Sequence, residues 1–163
     1  VVQAVGFEGE VASSTAVRAY LRDGDLAAAE RLLGRRPSLA GKVVSGDQRG
    51  RKIGFPTANI AHEGTLVPAH GVYAAWVDVL DDHGAKKTTH AAMANIGRRP
   101  TFDGEAVSIE AFLIDFEGDL YGRRLRAHLV RRLRSEQKFS GIDALTAQLH
   151  RDCAAARAAL ESS

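Results

Sequence analysis

The sequence predicts a mainly β fold: a six-stranded antiparallel β-barrel with a long C-terminal α-helix and a short helical appendage at the N-terminus. Three observations point there. From Val43 to about Arg134 the apolar residues recur with period two or in short β-rich runs. Turn-forming stretches, not helices, separate those runs, which argues for an antiparallel barrel or sandwich rather than a doubly wound sheet. The final segment then switches to three- and four-residue spacing, the period of an amphipathic helix.

The elements follow in order. Residues 13–34 read as two short helices. "SSTAVRAYL" opens with hydroxyl side chains able to cap free N–H groups, and "GDLAAAERLLG" offers Asp25 as a cap and Gly34 as a stop. "RRPSLAG" breaks the helical pattern, with Pro37 and Gly41 marking a boundary. The six predicted strands lie in "GKVVSG", "PTANIA", "GVYAAWVDVL", "THAAMANIG", "AVSIEAFLIDF" and "RRLRAHLVRRLR". "DDHGAK", "RRPTFDGE" and "EGDLYGR" read as turns between them. In the last segment Ile142, Leu145, Leu149, Cys153, Ala156 and Leu160 form one apolar stripe, and Ser140 stands where a cap belongs.

Composition bounds the function. With 163 residues, 45% of them hydrophobic, the chain suffices for one well-cored domain and a short appendage. Lys and Arg number 22 against 20 Asp and Glu, a balance that gives no support to general polyanion binding. The single cysteine, Cys153, cannot build a disulfide framework and fits a reducing compartment. No apolar run reaches the length of about 18 residues that spans a bilayer, and no secretory signal opens the sequence. The expectation is a cytoplasmic domain without membrane or nucleic-acid partners. The chain opens without Met, so a piece of something longer is expected.

Three constellations carry possible chemistry. In "GKVVSGDQRGRKIGFPTAN", Gly46, Gly50 and Gly54 let backbone N–H groups approach an anion, and Arg49, Arg51 and Lys52 add positive charge. The spacing is neither a Walker A loop nor a dinucleotide fingerprint, and no helix is expected to follow. An ordinary solvated hairpin is the plain alternative. Thr57 and Asn59, two apart on a strand, point to one side and present neutral oxygen donors of the kind Mg²⁺ takes. A Thr–Asn pair that merely tidies a turn would look the same.

In "AVSIEAFLIDF", Val107, Ile109, Ala111 and Leu113 share one face; Ser108, Glu110, Phe112 and Ile114 share the other. Glu110 thus projects among apolar neighbours, where partial desolvation suits a general base. A carboxylate on the wet face of an edge strand is the alternative. In "LRSEQKF", Arg134 and Phe139 offer a hydrogen-bonding fork and an aromatic face for a flat polar ligand, or simply pack a helix entrance. His150 and Cys153 lie one turn apart but lack a second pair, so a core-facing cysteine is expected rather than a metal site. The basic run at 123–134 alternates Arg with Leu, Ala and Val and has no aromatics for base stacking.

"GKVVSGDQRGRKIGFPTAN", "GVYAAWV", "NIGRRPTF", "SIEAFLIDFEGDLYG" and "LRSEQKF", in that order, resemble the flavokinase (riboflavin kinase) module of bacterial bifunctional FAD synthetases. The resemblance runs from about Gly41 to Leu160, and Pro-Thr-Ala-Asn is its most specific part. It implies a riboflavin kinase-like six-stranded barrel with a long C-terminal helix, matching the count above. "SSTAVR" further resembles the motif that closes the adenylyltransferase half of such enzymes. On that basis residues 1–38 are the C-terminal remnant of an adenylyltransferase module plus linker, and residues 39–163 are the riboflavin kinase domain. Ser13, Ser14, Thr15 and Arg18 are then remnants without activity, and this chain is expected not to adenylylate FMN, an activity expected only in the full-length protein.

The implied reaction is transfer of the ATP γ-phosphoryl group to the 5′-hydroxyl of riboflavin, giving FMN and ADP. By carry-over, Glu110 is the catalytic base and Thr57 and Asn59 hold Mg²⁺. Gly46, Arg51, Lys52, Gly54, Pro56, Leu113, Asp115 and Tyr121 match positions around ATP, with either Arg51 or Lys52 at the phosphates. Arg134, Gln137 and Phe139 match flavin positions. Gln137 stands where some relatives carry Lys, and Ala111–Phe112 where many carry Thr-His. The other readings are a non-catalytic flavin- or nucleotide-binding barrel, which needs Glu110 to be dispensable, and a nucleic-acid-binding barrel.

Overall fold

The computed structural model describes residues 6–7, 10–11, 13–64 and 66–163. In chain order the elements are β1 (Gly6–Phe7), β2 (Glu10–Val11), α1 (Ser14–Asp23), α2 (Leu26–Leu33) and β3 (Ser38–Val44). There follow α3 (Arg49–Lys52), β4 (Ala58–His62), β5 (Gly71–Leu80), β6 (Lys86–Thr101), β7 (Gly104–Leu113), β8 (Arg124–Arg134) and α4 (Ile142–Glu161). Strands β3 to β8 close into an antiparallel barrel in the order β3-β4-β7-β6-β5-β8. β1 and β2 pair only with each other, a small hairpin the sequence did not suggest.

The helix caps fall where the sequence put them. Ser13 accepts from the Ala16 N–H and Asp25 from the Ala28 N–H, while Gly34 ends α2 at φ +67°. Four expectations need correction. Gly41 is no boundary: it lies inside β3, where a Cβ would come 1.9 Å from the Ala61 carbonyl oxygen, so close strand approach required the glycine. The loop after β3 does contain a helix, the single turn α3, entered through Gln48 at φ +52°. Ser140 does not cap α4; Gly141 precedes its first turn and no side chain caps it. The turn expected at "RRPTFDGE" also shrinks to Phe102–Asp103, because Arg98 to Thr101 continue β6 in register with β7.

Alternation along the strands sorts side chains into two cores. The inner one fills the barrel with Tyr73, Val77, Ile96, Ile109, Leu125 and Leu129, all at most 2% exposed. Its end is plugged by Val17 and Leu21 of α1 and Leu26 and Ala29 of α2, which belong to the same cluster. The helical appendage is therefore packed into the domain, and the Ala69 N–H ties it down by donating to the Leu21 carbonyl. The outer core lies between the barrel wall and α4: Val72, Ala74, Met93 and Ile114 meet Ala156, Ala159 and Leu160. The long helix thus runs along the barrel's flank, while the N-terminal helices close its end. Among the described residues no helix is long and apolar enough to cross a membrane.

On the barrel's outer face Asp78 is 9% exposed, accepting from Thr89 Oγ1 at 2.6 Å and paired with His128 Nε2 at 2.8 Å. Burial pushes its carboxyl up, but the bonds from Thr89 and His128 outweigh that and hold it below the ordinary value of 3.8. A depressed folded-state pKa stabilises fully above 3.8 and is lost as pH falls through the folded value. Asp78→Asn should therefore unfold at lower urea concentration at pH 7, with a gap to the wild type that narrows by pH 3. A gap of constant size across that range would refute the assignment.

Candidate active site

The loop between β3 and β4 is irregular because it closes on itself. The Phe55 N–H donates to the Gly50 carbonyl at 2.8 Å, and a Cβ on Gly50 would lie 2.1 Å from the Phe55 carbonyl oxygen. Phe55, 5% exposed, anchors the loop in the outer core against Phe112 at 5.1 Å and the His150 ring at 4.9 Å. Gly54 makes the return at φ +83°. Gly46, at the other end of the loop, is pressed on Asn59: a Cβ there would sit 2.0 Å from Asn59 Nδ2.

Register then assembles the polar centre. Ala58 and Ile60 point into the barrel, so Asn59 points outward, with Thr57 one step before the strand. Asn59 on β4 lies directly opposite Glu110 on β7, and Glu110 lies directly opposite Asn95 on β6. Directly opposed residues of antiparallel strands bring Cβ atoms within about 5 Å. Thr57 Oγ1 donates to Glu110 Oε2 at 3.4 Å and Ser108 Oγ to Oε1 at 3.5 Å, both long bonds that leave the carboxylate open to another donor. Hydroxyl, amide and carboxylate from distant segments thus meet on one outer patch.

That patch separates two cavities. The smaller, about 150 Å³, lies against the glycine loop and the 116–121 turn; Gly46, Arg51, Pro56, Asn59, Leu113 and Tyr121 are in its wall. The larger, about 550 Å³, runs between the barrel flank and the start of α4; Glu110, Asn95, Arg134, Gln137 and Phe139 line it. Thr57 is in the wall of both. Ile142, Leu145 and Leu149, the first half of the α4 stripe, face the larger cavity, which is why Ile142 is 66% exposed on an otherwise packed helix.

Not every expected site residue gathers here. Arg51 faces the small cavity, but Lys52 faces the large one. Gly54 lines neither and serves the turn. Asp115 also lines neither: at φ +57° it turns away and pairs with Arg157 of α4 at 2.8 Å, whose hydrogen bond holds its carboxyl below the usual range. Arg134 is less free than its sequence context suggested. Its guanidinium grips Asp152 through Nε and Nη2 at 2.8–3.0 Å and lies 5.6 Å from the Phe139 ring centre. Cys153 is partly packed against the outer core, as a structural cysteine should be.

Three residues of the site escaped the sequence reading. Asp152, 3% exposed, is a carboxylate on the buried side of α4, four residues after Gln148, which donates to it at 2.8 Å. Its position between Leu149 and Ala156 on the apolar stripe was the available signal. Ser108 shared a face with Glu110 in the sequence but carried no role there, and Asn95 is an ordinary outward polar residue until register sets it beside Glu110. Thr57, Asn59 and the open carboxylate supply hard oxygen donors, which fit a small divalent cation. Among the described residues no cluster of three or more His, Cys, Asp or Glu competes for that role.

Asp152→Ala would leave the Arg134 charge buried without its partner, a loss of about 3–5 kcal/mol in unfolding free energy. Urea titration tests this, and a loss under about 1 kcal/mol, the range of exposed pairs, would show that the pair is not structural.

Comparison with known proteins supplies the family. The family model described as riboflavin kinase matches residues 33–160. The bifunctional riboflavin kinase/FMN adenylyltransferase of Escherichia coli (strain K12) is 46% identical over 145 residues, covering 89% of this chain and 45% of that protein. The chain thus spans about half the length of the curated relatives it matches. A solved structure described as a macrolide-efflux protein from Streptococcus pneumoniae superposes with TM-score 0.83 at 36% identity, covering 96% of this chain and 50% of that one. The riboflavin kinase of Trypanosoma brucei superposes with TM-score 0.57 at 26% identity over 76% of each chain. With most of its length matched and the barrel, loop and long helix in place, the chain belongs to the riboflavin kinase family.

Proposed function

We propose that this chain transfers the γ-phosphoryl group of ATP to the 5′-hydroxyl of riboflavin, giving FMN and ADP. The observation that carries this is the shared wall. Thr57 belongs to both cavities, with Glu110 3.4 Å away, so a donor on one side and an acceptor on the other would meet at a hydroxyl and a carboxylate. The large cavity suits a flavin: its volume of about 550 Å³ is lined mainly by apolar groups, with Arg134, Gln137 and Phe139 at one end. The small one suits triphosphate, bordered by Gly46 and Arg51 with backbone free to approach.

The chemistry asks for positioning and charge neutralisation more than covalent work. Glu110 accepts the proton of the 5′-hydroxyl as its oxygen bonds to the γ-phosphorus, and the bond from that phosphorus to the β-phosphate oxygen breaks, leaving ADP. Ser108 and Thr57 orient the carboxylate through its two oxygens. Thr57 and Asn59 would hold Mg²⁺, with the nucleotide phosphates completing its shell. When bound, that ion neutralises phosphate charge. Arg51, rather than Lys52, is the loop cation on the nucleotide side. Arg134, fixed by Asp152, frames Phe139 at the flavin end. Asp115 and Gly54 shape the nucleotide site only through the turns they make.

Residues 1–38 are the end of an adenylyltransferase module and its linker, and 39–163 the kinase domain; the bifunctional names of relatives twice as long support this. The N-terminal helices nevertheless contribute to the kinase core, so the two parts fold together here. With ATP as the donor, we place the reaction in the cytoplasm.

Incubation with riboflavin, ATP and Mg²⁺, followed by chromatography of the flavins, should yield FMN; absence of FMN would overturn the proposal. Glu110→Ala should lower turnover by at least roughly a hundredfold while the thermal midpoint stays close to wild type. Near-normal turnover would remove Glu110 as the base. Thr57→Ala and Asn59→Ala should raise the Mg²⁺ concentration giving half-maximal rate, and an unchanged metal requirement would count against that pair.

A further inference from the structure

We propose that Asn95 is a substrate-positioning residue that reads a secondary hydroxyl of the riboflavin side chain and so sets the terminal hydroxyl against Glu110. The inference rests on the riboflavin phosphorylation proposed above and adds a residue to it. Asn95 occupies the third place in an outward row, Asn59–Glu110–Asn95, running across β4, β7 and β6. Neighbouring strands lie about 4.8 Å apart, so a polyol laid across the row would put one hydroxyl at Glu110 and another at Asn95. Asn95 lines the large cavity together with Glu110 and Thr57.

Its surroundings make the amide conspicuous. Along the same face of the strands its neighbours are Met93, Val72 and Phe112, all part of the outer apolar core. The carboxylate beside it takes its two hydrogen bonds from Thr57 and Ser108, not from Asn95. Among the described residues the Asn95 side-chain amide has no hydrogen-bond partner, although the residue is half-buried. The amide is open to the large cavity and is left free to bond a ligand there. A hydroxyl both donates and accepts, as an amide does, so a sugar alcohol matches it, whereas an anion would satisfy only its donor side. A site built to bond a hydroxyl also rejects the analogue lacking it.

The test is a substrate–enzyme cycle. Wild type, Asn95→Ala and Asn95→Ser would each be assayed with riboflavin and with its 2′-, 3′- and 4′-monodeoxy analogues. Asn95→Ala should lower kcat/KM for riboflavin about three- to tenfold, the worth of one neutral hydrogen bond, with KM for ATP unchanged and Asn95→Ser recovering part of the loss. One analogue should be discriminated against by wild type and no longer by Asn95→Ala. Equal discrimination by both proteins against every analogue would overturn the proposal, as would riboflavin kinetics in Asn95→Ala indistinguishable from wild type. If the wild type forms no FMN, the phosphorylation reading fails instead. Quenching of flavin fluorescence on binding then decides the contact with the same proteins and ligands, by the same loss or persistence of discrimination.

Discussion

The barrel closes on a seam of two residue pairs, Ala58 with Ala111 and Asn59 with Glu110. Every other neighbouring pair of strands in the barrel is joined over a longer stretch. Beyond the seam β4 and β7 part, and a cavity of about 290 Å³ opens between Ile60–His62 and Val107–Ile109. The contact that completes the hydrogen-bonded cylinder is therefore the same contact that juxtaposes amide and carboxylate. A slip of one residue would turn Glu110 into the barrel and Ala111 out of it. The buried partners Ile109, Ala111 and Leu113 hold that register, since none of them is more than 4% exposed.

Around the seam the molecule keeps two apolar cores with different tasks. The inner core, completed by α1 and α2, makes the barrel a rigid frame. The outer core is complete only over the second half of α4, where Ala156, Ala159 and Leu160 are buried. At the start of the helix Ile142 and Leu145 line a cavity instead, and Leu149 borders both cavity and core. Asp152 sits at the change between these regimes and clamps Arg134, the last residue of β8. The clamp joins the end of the barrel to the helix and fixes where the 135–139 segment departs.

The loop from Gly46 to Phe55 shows the same economy. Its glycines serve close approach of backbone to backbone and backbone to Asn59, and its one buried aromatic, Phe55, pins it to β7 and α4. A short irregular segment thereby presents Gly46 and Arg51 toward one cavity and Lys52 and Ile53 toward the other. The proposed phosphoryl transfer would need such a divider, because donor and acceptor must approach end to end.

Much of this was legible in the chain. Period-two alternation sorted the residues of β7 into two faces and marked β8 as half-buried, the caps of α1 and α2 were written in Ser13, Asp25 and Gly34, and the stripe of α4 announced a long amphipathic helix. Thr57, Asn59 and Glu110 stood out because local pattern placed polar oxygen donors beside a glycine loop and among apolar neighbours. What pairing and packing decided lay beyond any local window. Asp115 turned toward Arg157, Lys52 turned to the other cavity, and β3 ran back through Gly41 to Ser38, with Ala61 passing close beside the glycine. Asn95 and Asp152 acquired their roles from partners 15 and 18 residues away, Glu110 and Arg134. Periodicity reports which side a residue faces; only the closed sheet and the docked helix determine what it faces.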